Sequence, residues 1–122
     1  ALVFVCSGAA DVGELTDRAA RLLNRQGAVA MSCLAGIGAR DSDMMFNTEF
    51  ADAVLVIDGC PTGCASGTFR EAGLTKFTQF NLAEIGLHKG ASPVTDENVR
   101  RVADWALDLL GATVPCVKTK AS

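Results

Sequence analysis

Three short runs in this chain are apolar at nearly every position. They are Leu2–Val5 (LVFV), Ala28–Cys33 (AVAMSC, alternating around Val29 and Met31) and Ala53–Ile57 (AVLVI). Continuous apolar runs of this length, rich in branched residues, fit strands covered on both faces of a parallel sheet. Lys76–Phe80 is a fourth, weaker strand, with Phe77 and either Phe80 or Leu82 inward according to register. Between the runs the apolar spacing changes to that of a helix. Leu15, Ala19, Leu22 and Leu23 predict one that Gly27 ends, and Asp11 with Glu14 has the spacing of a capping box. Asp41 or Ser42 starts a short helix through about Phe50, and Ala65–Ala72 forms another, closed by Gly73. The last helix starts at Thr95, with Asp96 and Glu97 in its first turn and an apolar stripe of Val99, Val102, Ala103, Ala106, Leu109 and Leu110 before Gly111 stops it. Gly36 and Gly38 predict a loop, Asn81–Pro93 predicts no regular element, and Ala112–Ser122 is expected on the surface.

Strand followed by helix, repeated four times, predicts an α/β fold: a small three-layer doubly wound parallel sheet of about four strands, Rossmann-like, in the order 2-1-3-4. The point where the chain reverses direction across the sheet then lies between the first and third strands, where such folds place ligands. The 122 residues suffice for one domain with its own core. A net charge of −3 leaves no basic stripe, which excludes nucleic acid as the expected partner. No apolar run approaches the roughly 20 residues needed to cross a bilayer, so no membrane partner is expected, and no signal peptide is visible. The five cysteines are odd in number and not spaced as a small secreted scaffold. With an α/β pattern this predicts a reducing cytoplasm and thiols kept for metal or chemistry.

Four of those cysteines follow strands: Cys6 the first, Cys33 the second, and Cys60 with Cys64 the third. Ends of neighbouring parallel strands lie roughly 5 Å apart, so these thiols are expected along one sheet edge. Convergent thiols suit a soft metal such as zinc, held tetrahedrally at about 2.3 Å. They also suit a redox or nucleophilic site, or an iron–sulfur cluster. Cys60 and Cys64, in CPTGC, are placed to grip one ion locally, with Cys6 and Cys33 arriving from adjacent strand ends. The turns carrying them start helices, which favours thiolate and serves either chemistry. Other readings fail on particular residues. The first turn is similar to the cysteine loop of low-molecular-weight tyrosine phosphatases, but the sixth residue after Cys6 is Val12 where an arginine is needed. Gly36-Ile37-Gly38 lacks the third glycine of a dinucleotide fingerprint, no Walker loop is present, and Cys60–Cys64 is one residue longer than a thioredoxin-type pair.

Val5-Cys6-Ser7-Gly8, Val12-Gly13-x-Leu15-Thr16, Cys33-Leu34-Ala35 and above all Asp58-Gly59-Cys60 with Cys64 resemble the DGC-domain family, named for its Asp-Gly-Cys motif. The resemblance implies a zinc-binding domain with Cys6, Cys33, Cys60 and Cys64 as ligands and a metal ion as partner. It implies no reaction and leaves a protein partner unknown. Four protein ligands close a zinc site, and closed sites are generally structural. A chain with its own core has little need of such a staple, which leaves room for sensing, delivery or storage of the metal. Among the remaining residues, Cys116 reads as a spare thiol, His88 as solvated and Trp105 as packing. Asp11 reads as a helix cap, and Asp58 as a turn-capping carboxylate more than a base. Arg40 and Asp41, after the second strand, are candidates to meet a polar ligand.

Overall fold

The computed structural model describes residues 1–113. Its sheet has four parallel strands, β1 (Leu2–Val5), β2 (Ala30–Met31), β3 (Val54–Asp58) and β4 (Thr78–Asn81), in the order β2-β1-β3-β4. Five α-helices flank it: α1 (Asp11–Arg25), α2 (Leu34–Gly38), α3 (Ser42–Glu49), α4 (Cys64–Glu71) and α5 (Asp96–Thr113). This is the expected α/β architecture, with the expected strand order.

Alternation along the strands divides the core in two. Val3, Val5, Leu55, Ile57 and Phe80 point to one face and pack with the apolar stripes of α1 and α5. Phe4, Val54 and Val56 point to the other, against Ile37 of α2 and Ala65 and Phe69 of α4, with the Phe4 and Phe69 rings edge-on at 4.8 Å. All five residues of β3 are buried, because it is central and covered on both faces. Its register against β1 pairs Val5 with Ile57, and the sheet's C-terminal edge therefore presents Cys6 beside the loop that follows Asp58.

Several boundaries differ from those expected. β2 covers only Ala30–Met31 of the predicted Ala28–Cys33, because Cys33 has already left the sheet as the N-cap of α2. β4 starts later than predicted, and its buried aromatic is Phe80. The predicted loop at Gly36 and Gly38 is the helix α2. Burial of Ile37 outweighs the low helix propensity of glycine. A Cβ on Gly36 would stand 2.3 Å from the Met44 sulfur of α3, a contact that the flexible end of that side chain can move to relieve. Gly111 does not stop α5, which runs on to Thr113. The segment after β4 forms a 3₁₀ turn at Leu82–Ile85, closed by a capping box between Asn81 and Glu84. Asp41 caps α3, accepting from the Met44 N–H at 3.0 Å, and Thr95 caps α5 through the Asn98 N–H at 3.1 Å, both as expected. Among the described residues, no helix is long and apolar enough to cross a membrane.

Candidate functional site

The edge beyond the strands is built from two loops. The first, from Cys6 to Ala10, joins β1 to α1 and lies tight against the start of that helix. A Cβ on Gly13 would stand 2.5 Å from the Gly8 backbone nitrogen, so only glycine lets the helix approach the loop this closely. Ser7 takes a left-handed conformation, φ 42°, and its hydroxyl donates to Asp17 of α1 at 3.0 Å. The second loop runs from Gly59 to Gly63. Asp58, fully buried at the end of β3, reaches across it. Its carboxylate accepts from Ala65 N–H at 2.8 Å, Ser66 N–H at 3.3 Å and the Gln79 amide at 3.3 Å. Asp58 therefore caps α4 from the preceding strand, and these bonds commit it to structure.

The two loops meet at Cys6. Its sulfur accepts from the Gly59 N–H at 3.3 Å and lies 3.5 Å from the Thr16 hydroxyl, which itself donates to Gly13 O at 2.8 Å. Cys60 is half-buried on the α1 side of the sheet. Its carbonyl accepts from the Asn81 amide at 3.0 Å and the Gly63 N–H at 3.1 Å, which ties the loop to β4. Its thiol is held below the ordinary thiol value. The largest cause is the hydrogen bond from the Thr62 hydroxyl, followed by the Thr62 N–H, and the positive charge of Lys89 adds to it.

Cys6, Cys60 and Cys64 border one depression of about 520 Å³, together with Asp58 and Lys89. Cys33 borders a second depression, of about 940 Å³, and Cys6 is common to both. All four thiols thus stand along the C-terminal edge and are free, with Cys33 and Cys64 exposed. They are not gathered around a point: among the described residues, no three His, Cys, Asp or Glu side chains form a group placed to hold a metal ion. The donor set suits zinc in kind, but the cage is not preassembled.

The other candidates resolve differently. Arg40 is engaged: its guanidinium donates to Ile37 O and Gly38 O at 3.0 Å and to Glu71 O at 2.9 Å, tying the ends of α2 and α4 together. Asp41 is spent on the α3 cap. His88 is exposed and borders neither thiol depression. Trp105 packs near Phe80, ring centroids 6.4 Å apart. Cys116 lies outside the described residues. Asp11 is not the expected capping box, since the N-cap is Ala10 and no side chain caps there. Its carboxylate instead accepts from Gly90 N–H and Ser92 N–H, each at 3.0 Å, which lowers its pKa and pins the 88–92 loop onto α1. That pin carries Lys89 to the rim of the thiol depression. The sequence reading missed Lys89, Thr62 and Asn81. Only Thr62, inside the CPTGC turn, had a local signal.

The family model of the DGC domain matches residues 2–105. The anaerobic and virulence modulator AnvM of Pseudomonas aeruginosa is 32% identical over 88 residues, which are 72% of this chain and 67% of that protein. No solved structure matched the chain. The Asp-Gly-Cys turn after the central strand and a family match across both layers of the fold agree: this chain belongs to the DGC-domain family.

Proposed function

We propose that this chain is a metal-binding domain in which Cys6, Cys33, Cys60 and Cys64 close as thiolates around one zinc ion at the C-terminal edge of the sheet. The observation that carries this reading is the placement of Cys6. Its sulfur stands where the two loops meet and borders both depressions, with Cys60 and Cys64 on one side and Cys33 on the other. The lowered pKa of Cys60 adds to it, because zinc binds the thiolate and the proton must leave first. The turns of the exposed Cys33 and Cys64 side chains complete the cage when the ion arrives. AnvM is named for modulation, and we take a regulatory use of the metal in a cytoplasmic protein over a catalytic one.

The same lowered pKa favours a second reading, a Cys60 thiolate acting as nucleophile or redox centre. Metal analysis of protein purified without added metal, paired with a thiol count, separates the two. One zinc per chain in wild type and in Cys116→Ser, lost in Cys60→Ser, is the expected result. Equal metal content in Cys60→Ser and wild type overturns the assignment. A brown anaerobic preparation replaces zinc by an iron–sulfur cluster on the same thiols.

A further inference from the structure

The depression bordered by Cys6 and Cys33 is larger than a metal site needs. Its volume is about 940 Å³, within the roughly 300–1,000 Å³ of small-molecule sites. It opens because the sheet ends early on this side. β2 is the outer strand and two residues long, and the Met31 N–H is taken at 2.9 Å by the Asn24 side chain of α1, where a further strand would bond. The chain then turns away through Ser32 and Cys33 into α2, leaving the second half of α1 facing that turn across open space.

The walls are chemically unlike. Met31 and Leu34 supply apolar surface, and α1 supplies Arg21 and Arg25 together with the Asp17 carboxylate. Arg21 is paired with Asp17 at 2.7 Å, whereas Arg25 has no ion-pair partner among the described residues. Both arginines also border a neighbouring groove with Arg18, Arg100 and Asp96; Arg18 is paired with Glu14 at 2.7 Å, so of these four arginines Arg25 and Arg100 are the ones without an ion-pair partner among the described residues. An unengaged guanidinium offers a fork of donors matched to carboxylate or phosphate.

We propose that this cleft binds a small organic anion, its carboxylate or phosphate held by Arg25 and its short apolar body lying over Met31 and Leu34, beside Cys6 and Cys33. The binding needs no metal and goes beyond the zinc reading.

The test uses Cys33 as a reporter in the full chain, freed of metal by a chelator. Iodoacetate and iodoacetamide differ little except in charge, so the ratio of their rates at Cys33, read by mass spectrometry against free cysteine, reports anion attraction. The ratio is expected to exceed that of free cysteine several-fold, to fall to about the free-cysteine value in Arg25→Gln, and to hold in Arg100→Gln. Succinate and glycerol phosphate then compete. Protection of Cys33 by one of them in wild type, but not in Arg25→Gln, identifies the head group. A ratio unchanged by Arg25→Gln, or protection by neither anion, overturns the proposal.

Discussion

At Cys60, hydrogen bonds from Thr62 act on the sulfur while Asn81 and Gly63 hold the carbonyl, so the thiol is tuned by neighbours in its own turn and fixed to the next strand. A depressed pKa means the thiolate is already present below the usual thiol range of about 8.5. In metal-free protein, the alkylation rate of Cys60 should therefore rise with pH through a midpoint below that of the same thiol in the unfolded chain. Thr62→Val, which keeps the shape and removes the hydroxyl, should move the midpoint up; identical midpoints would show that Thr62 does not set it. Asp11 shows the same logic in a carboxylate. The Gly90 and Ser92 N–H groups lower its pKa, so its contribution to stability is complete above the unfolded carboxylate value of about 3.9 and is lost as pH falls through the folded one. Melting curves of wild type and Asp11→Asn should differ at neutral pH and converge in acid. A gap that widens in acid would contradict this. Neither contact was legible in the sequence, because Gly90 and Ser92 lie 79 and 81 residues from Asp11 and only the fold brings them together.

At the scale of elements, the strands, their order and the main helices were legible because their signals are strong and local: continuous apolar runs for a doubly covered sheet, and a 3.6-residue stripe for α1 and α5. The errors fall where tertiary contact overrides local preference. Glycines predicted a loop at α2, yet Ile37 is buried and the end of the Met44 side chain packs beside Gly36. Gly111 is a different case, exposed and without a close neighbour among the described residues, and α5 nevertheless continues past it. The loop–helix junctions at the site depend on two contacts that can be removed one at a time. Gly13→Ala drives a Cβ into the Gly8 backbone and should cost about 1–3 kcal/mol, the usual range for overpacking. Asp58→Ala leaves Ala65 N–H and Ser66 N–H buried without their acceptor and should cost about 1–3 kcal/mol. Denaturant unfolding measures both. A change within error in Asp58→Ala would mean that the cap is dispensable and that the Cys60–Cys64 loop is held by other contacts.

For the whole molecule, two apolar cores on opposite faces of one sheet have no cysteine among their buried residues, and Cys60 and Cys6 pack only at their margins. This separates the fold from a zinc finger, which is unfolded without metal. Circular dichroism before and after chelation should therefore keep most of the helical signal, with a lower melting temperature. Complete loss of that signal would show the metal to be structural. The sequence placed all four thiols on the correct edge, since strand ends in a parallel sheet are neighbours whatever the loops do. It did not reveal that Cys33 and Cys60 border different depressions, because side-chain direction is set by α2 and by the Thr62 turn. The claim that these thiols close on one ion is tested most directly by X-ray absorption at the zinc edge of the purified full chain. The account predicts a first shell of four sulfurs at about 2.3 Å, reduced by one sulfur in Cys33→Ser; a shell of nitrogen and oxygen, or one that Cys33→Ser leaves intact, would contradict it.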